Sequence, residues 1–382
     1  MPTIIPNARA TAATQGINAD RRVVDMADRI LLLEKNKNAI ALIASKVRKK
    51  SVHNPDFDWL EDERTPAIDR VNNGAGYAAG ATSIVVDNGP YFSVNSTFRV
   101  QRTGEVCLVT GVSTNTLTVT RGFGSTSAAA MVDNDQLTLM GGAAVEGASP
   151  EAARGTKTET KTNRCEIVRD VFEVTKTLDA SLLYGGNDRD HQRLVRGIEH
   201  AVAIEEKFLF GEKALVTSGA TPRRTTGGLD ELISTNDKDF GGVLTLEGIM
   251  EAAETDFRYG ADKKMLFGGA PVISQISLLG GSQLRMVPEK EAYGLALSQL
   301  ITPHGEYLVH KHHLLEGDTY SKRAYIVDID NVGYAFLQGR DTKLLAGIES
   351  PGDDVFKDEY LSEVGFIRMQ EKTHGRWKNA SP

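Results

Sequence analysis

Cysteine is almost missing from this chain: only Cys107 and Cys165 occur in 382 residues. Two thiols so far apart in sequence make no disulfide framework, and they are too few for a cysteine-based zinc site. Such sparing use of cysteine fits a reducing compartment. Long apolar runs are missing as well, and nothing approaches the roughly 18 apolar residues of a membrane span. The opening MPTIIPNARATAATQG has no charged start followed by an apolar stretch, so no secretory signal is expected. What remains, 40% hydrophobic and 25% charged, is neither disordered nor fibrous and is long enough for two or three domains.

Catalytic signatures are missing too. There is no GxxxxGK phosphate loop, and the Gly-Gly pairs at 141, 227, 241, 268 and 280 build no GxGxxG after a strand. Gly122-Phe123-Gly124-Ser125 lacks the trailing glycine of a nucleophile elbow. Histidines cluster only at His310, His312 and His313. On a strand His310 and His312 share a face, and with Asp328 they define an alternative reading as a metal-dependent enzyme. No HExxH supports it; a polar, mildly pH-sensitive strand at a subunit boundary explains them more simply. Asp328 and Asp330 resemble an acid–base or cation pair, but the following Asn331-Val332-Gly333 reads as a turn. Glu199, His200, Glu205 and Glu206 crowd one helix without the Glu-x-x-His spacing of a di-metal bundle, so a solvated or interface face is expected. Arg223-Arg224-Thr225-Thr226-Gly227-Gly228 is a weak anion-cradle signal. No catalytic residue, cofactor or metal is expected.

The net charge of −7 is unevenly spread. Met1–Pro55 carries ten Lys/Arg against four Asp/Glu, a balance of +6 that leaves −13 for the rest. A basic arm on an acidic body can touch nucleic acid or an acidic partner. Its densest stretch, Arg48, Lys49 and Lys50, equally suits a helix C-terminus. The acidic body argues against a dedicated DNA binder.

Read along the chain, Val23, Met26, Ala27, Ile30 and Leu33 recur at helical spacing, and Ala39–Val47 gives a second apolar stretch. His53–Pro66 is dense in acid. Asn72–Ala81 reads as a Gly/Ala linker. Five short strands follow, Ser83–Asp87, Thr97–Arg102, Glu105–Thr110, Asn115–Arg121 and Gln136–Met140, with a two-residue hairpin turn at Thr103-Gly104. They describe a small closed sheet or sandwich inserted in a larger domain. The returning Arg154–Arg164 is mostly basic, so the outgoing acid and returning base suit a two-stranded arm. Asn187–Phe210 is the best helix, about 35 Å long, with Leu194, Ile198, Ala201, Val202, Phe208 and Leu209 as its apolar stripe and Gly211 as its stop. An α+β region follows, with helices near Leu244–Arg258 and Pro271–Leu279. The C-terminal part reads mainly as strands; on one of them Tyr325, Val327 and Ile329 oppose Asp328 and Asp330. Projections that cannot bury themselves imply neighbours, and repeated head-to-tail contacts make rings.

The segments FDWLEDERTP (57–66), GEVCLVTGVSTNTLTVTRGFGST (104–126), AVEGA (144–148), IEHAVAIEEKFLFGEK (198–213), RRTTGGL (223–229), YIVDIDNVGYAFLQGRDTKL (325–344) and DEYLSEVGF (358–366) carry a resemblance. In their order and spacing the chain resembles the major capsid proteins of tailed bacteriophages, in the group with a β insertion in the extended loop. The resemblance implies an α+β, Hong Kong phage-type capsid fold. Its expected parts are an N-terminal arm (1–55), an extended loop (56–177) carrying the β module (about 82–140), a peripheral domain with the spine helix (178–239), an axial domain (240–315) and a C-terminal return (316–382). It implies pentamers and hexamers of this chain closing into an icosahedral head around double-stranded DNA touched without sequence preference. Assembly is expected in the bacterial cytoplasm, with the product in the virion. Separate scaffolding, portal and decoration proteins are the expected partners, and a membrane is not. A protein cage of the same fold around a cargo enzyme is the nearer alternative. The expected intersubunit charges are Asp58, Glu61, Asp62, Arg64, Lys157 and Lys161, with Arg48, Lys49 and Lys50 on the inner surface. No Lys–Asn crosslink is expected.

Overall fold

The structure is a computed structural model that describes residues 39–143, 146, 155–156, 158–183, 186–219, 221–282, 285–292 and 295–380. The first predicted helix, AVEGA and Lys157 lie wholly or largely outside these residues. Contacts divide the chain into two compact units, Met1–Trp59 with Lys161–Pro382, and Leu60–Thr160.

Two large sheets lie in the first unit. A five-stranded sheet runs in the order Lys49–Val52, Val332–Leu337, Val355–Arg368, Glu166–Thr175, with Lys343–Ala346 also paired to the long strand. The spine helix Asp188–Phe210 buries Ile204, Phe208 and Leu209 among Val168, Tyr334, Val364 and Phe366. Asn187 caps it by accepting from the Asp190 N–H. Gly211 ends it for a reason other than a left-handed turn, since its φ is −61°. A Cβ there would sit 2.3 Å from the Lys207 carbonyl and 2.5 Å from that of Thr226, so close backbone approach requires the glycine. The expected stripe is only partly the buried one: Leu194 is 55% exposed, while His200 and Glu205 are buried. Periodicity counted apolar residues, and it could not see that these two polar side chains are satisfied inside.

Glu205 is the more telling of the two. Its carboxylate accepts from the backbone N–H of Ile40 (2.7 Å) and of Ala41 (2.6 Å), in the first turn of helix Ala39–Val47. That helix has no acidic residue in its own first turn, so the charge complementing its dipole comes from 165 residues away. The third partner is His312. Its Nδ1 accepts from Leu314 N–H, which leaves Nε2–H to donate to Glu205 at 2.7 Å.

The second sheet has seven strands in the order Asp237–Gly242, Gly375–Ala380, Ala324–Val327, Lys263–Gly268, Glu306–Lys311, Leu295–Ile301, Arg285–Ala292. Helices Leu246–Asp256 and Ala270–Ser282 contribute Ile249, Val272 and Ile276 to a core with Tyr307 and Trp377. Two of its strands come from beyond residue 316, so the boundary drawn there falls inside one sheet. The C-terminal strands are shared between both sheets. Ala324–Val327 is buried at all four positions, which corrects the alternating reading of this strand. The strand stops at Val327, and Asp328 caps the following turn by accepting from Asp330 N–H.

The second unit is a six-stranded antiparallel sheet in the order Ile68–Arg70, Gln136–Gly142, Ser96–Val100, Val106–Ser113, Thr116–Thr120, Ser83–Val85. Ile84, Phe98, Cys107, Leu117, Met131 and Leu137 fill its core. The module begins earlier than expected, because the Gly/Ala stretch before Ser83 is part of it. Tyr77 bridges to Met131, and its hydroxyl accepts from Val85 N–H at 2.8 Å. The tight hairpin lies at Thr114-Asn115, where Ser113 pairs with Thr116 and Thr114 takes φ 51°. The expected turn at Thr103-Gly104 is the end of a longer loop, closed by Val100 N–H donating to the Glu105 carbonyl. Glu105 itself is buried and bidentate with Arg121, at 2.7 Å on both arms, and it accepts from Gly122 and Ala129 N–H as well. Burial pushes its pKa up, but these donors outweigh burial and hold it below the usual range.

Removing Glu205 by Glu205→Ala leaves two helix N–H groups and an imidazole unpaired in the core. The expected loss is about 3 kcal/mol in a denaturant unfolding curve. Asp358 gives a pH test. It accepts from Arg189 (2.8 Å), Arg193 (2.9 Å) and Gly347 N–H (3.0 Å), and these outweigh burial to bring its pKa from 3.8 to about 2. A carboxylate held down in the folded state adds stability above its unfolded pKa and loses it as pH falls through the folded one. Asp358→Asn should therefore lower stability at neutral pH and flatten its fall between pH 3.8 and about 2 in acid titrations of unfolding.

Candidate functional site

The expected intersubunit charges lie on and beside the strand Asp56–Glu61, which pairs with the returning strand Glu159–Arg164. Alternation sets the outgoing strand's faces. Phe57 turns inward to Val52, Cys165, Ala335 and Ile367, with Trp59 packed beside it, while Asp56, Asp58 and Leu60 turn out. Part of the expected charge complementarity is met within the chain, since Arg164 Nε donates to Asp56 at 3.1 Å. Asp62 accepts from the Thr156 hydroxyl at 2.7 Å. Glu63 and Arg64 are exposed, and Lys161 is half-buried on the returning strand.

Asn163 was missed by the sequence reading. Fully buried, it donates to the carbonyls of Gly227 (3.0 Å) and Phe366 (2.7 Å) and accepts from Gly227 N–H (2.9 Å). It ties the returning strand to the RRTTGG segment. A lone Asn between Thr162 and Arg164 offers no signal for that.

Only the first residue of the basic stretch is a helix end: Arg48 N–H donates to the Ala44 carbonyl at 3.1 Å, whereas Lys49 and Lys50 are not helical. The helix stops at Val47, and Lys49–Val52 is a strand paired in parallel with Tyr334–Leu337. Backbone bonding decides this: Arg48 C=O accepts from Tyr334 N–H at 2.7 Å. Arg48 contacts Met369 Sδ and the Asp330 carbonyl. Lys49 pairs with Asp341 and lies over the Tyr334 and Phe336 rings, 5.3 and 5.2 Å from their centroids. Lys50 is exposed.

The tempting catalytic sets separate. The histidine strand ends at Lys311, so His312 leaves the face of His310 and turns to Glu205. Asp328 is occupied by Ala261 N–H (3.1 Å) and the Asn331 amide (3.0 Å). The four crowded side chains of the spine helix also divide. Glu199 pairs with Arg196 and Glu206 is exposed, but His200 is buried between Asp170 and Ser362, 2.6 Å from each. Among the described residues no three His, Cys, Asp or Glu side chains gather as metal ligands.

A polar cluster inside the second core was not foreseen. Lys264 is fully buried and donates to the carbonyls of Asp256, Tyr259 (2.8 Å) and Thr373 (2.6 Å). Desolvation lowers its pKa. Asp256 accepts from Tyr307 (2.9 Å) and Trp377 (3.1 Å), yet burial pushes it up to about 6. Burial and the nearby Arg368 charge push His374 down to about 3, which keeps its imidazole neutral. Every one of these groups is engaged in holding backbone or neighbouring side chains together.

Comparison with known proteins bears on what such a scaffold does. A family model described as "SU10 major capsid protein" matches residues 8–381. A curated "Major capsid protein" of Pseudomonas phage PaMx41 is 24% identical over 284 residues, 70% of this chain and 68% of that one. Among solved structures, the capsid of a native GTA particle superposes with a TM-score of 0.55 at 12% identity, covering 98% of this chain and 100% of that one. The encapsulin of Synechococcus elongatus reaches 0.45 at 9% identity, over 59% of this chain and 78% of that one. The Hong Kong phage-type capsid fold expected from the resemblance is shown.

Proposed function

The chain belongs to the SU10 major capsid protein family, and from that premise we propose how its parts build a shell. It is a major capsid protein of a tailed phage and forms the icosahedral capsid. The observation that carries this is the family match over nearly the whole chain, together with a fold in which the polar clusters are satisfied internally.

In our reading the subunits associate as pentamers and hexamers that enclose double-stranded DNA, and the protein has no enzymatic activity. Residues 1–55 act as the arm and 56–177 as the extended loop; 178–239 with the strands Val332–Leu337, Lys343–Ala346 and Val355–Arg368 act as the peripheral part, and 240–315 with Ala324–Val327 and Gly375–Ala380 as the axial part. Asp58, Glu61, Asp62, Arg64, Lys157 and Lys161 pair across neighbours. Individual contacts are modest, but each subunit makes several, so avidity holds the shell. The net-acidic body limits DNA adhesion to the wall. Lys50 is the best placed of the three basic residues to meet DNA, because it is exposed while Arg48 and Lys49 have partners in their own chain. Scaffolding, portal and decoration proteins are separate chains, and assembly takes place in the host cytoplasm.

Glu61→Lys with Asp62→Lys should reduce shell yield in electron micrographs while leaving the subunit's circular dichroism unchanged; normal particles from this variant would refute the charge assignment. Particles boiled in denaturant should run as a single monomer band, without a covalent ladder.

A further inference from the structure

Beneath the hairpin Ala214–Val216 and Arg223–Thr225 lies a cavity of about 880 Å³, within the first unit. Three cations line it, Lys207, Arg223 and Arg224. Lys207 is neutralised by Glu166, 2.9 Å away, whose other oxygen accepts from Thr226 N–H. Arg223 and Arg224 have no carboxylate partner among the described residues. The cavity is therefore positive, and it is also partly apolar: Ile167 is 48% exposed and Val216 is 46% exposed on its rim.

Two guanidinium groups by themselves would take any anion, a DNA phosphate included. Exposed apolar side chains beside them favour a different ligand, a peptide bearing both carboxylates and an apolar anchor. The chain contains such a segment. Leu60 is 66% exposed and is followed at once by Glu61, Asp62 and Glu63. No other exposed large apolar side chain among the described residues is followed by three carboxylates. The strand alternation that buries Phe57 is what turns Leu60 outward.

We propose that the segment Leu60–Glu63 of a second copy docks in this cavity, with Leu60 against Ile167 and Val216 and its carboxylates on Arg223 and Arg224. The inference rests on the capsid function and names one contact within it. Donor and receptor are different surfaces, so the contact is head-to-tail and propagates into rings.

The test uses the full-length chain in the setting that yields wild-type shells. Wild-type shell formation is scored first and tests the capsid reading; the variants test the contact. Arg223→Glu with Arg224→Glu should lower shell yield roughly tenfold or more, and adding Glu61→Lys, Asp62→Lys and Glu63→Lys should restore most of it. A second measurement does not depend on reversal being tolerated. Asp62→Cys subunits are mixed with Arg224→Cys subunits, both carrying Cys165→Ala because Cys165 lines this cavity, then assembled and oxidised; the remaining native thiol, Cys107, is buried. The expected result is a disulfide-linked dimer from the mixture and none from either variant alone. Undiminished shells from the Arg223/Arg224 reversal would overturn the proposal, and so would the absence of a disulfide-linked dimer from mixed subunits that assemble into shells.

Discussion

One buried carboxylate organises the first unit. Glu205 sits on the spine helix with no access to solvent, where an unpaired charge would be far too costly to keep. Its three donors come from two distant places in sequence, the start of helix Ala39–Val47 and His312. Satisfying it fixes that helix against the spine. The helix then delivers Lys49–Val52 to the edge of the five-stranded sheet, where parallel pairing with Tyr334–Leu337 completes that edge. The position of the N-terminal part thus follows from electrostatics in the core as much as from apolar contact.

The same logic recurs with different residues. Glu105 and Arg121 close the module's loops around one bidentate pair. Lys264 gathers three carbonyls in the second core, and Asp358 draws two arginines of the spine helix onto the long strand. Each of these groups is engaged with backbone or side chains of its own chain. A shell subunit must keep its shape while its neighbours pull on it, and buried polar pairs that are destroyed by small shifts favour a single geometry. Asp58, by contrast, turns outward on its strand.

Much of this was legible in the sequence, and the exceptions have physical causes. Strand alternation located five of the module's six strands, and helical spacing with Asn187 and Gly211 located the spine helix. What failed was the assumption that polar means exposed: His200, Glu205, Lys264 and Asn163 are all buried, because partners distant in sequence satisfy them. The Gly/Ala stretch before Ser83 looked like a linker because small residues pack no core of their own, yet glycines allow the close approach that joins Tyr77 to Met131; a Cβ on Gly76 would meet the Met131 carbonyl at 2.5 Å. Lys49 and Lys50 suited a helix end by charge, and only a strand from the far end of the chain made them part of a sheet. The outward charges are the least legible part, since a carboxylate bound for a neighbour and one bound for water look alike in a single chain.

The parallel pairing of Lys49–Val52 with Tyr334–Leu337 also sets a clock. The first of these strands leaves the ribosome about 280 residues ahead of its partner, an interval of roughly 15 to 60 s at bacterial elongation rates. Residues 60–160 have all of their sheet partners by then and can finish folding, while the early strand waits with an open edge. In a cell filling with copies of one nascent chain, that edge is the place where a wrong partner would arrive first. Lys49 and Lys50 fall on this waiting strand, and charged side chains on an open edge disfavour edge-to-edge pairing between copies.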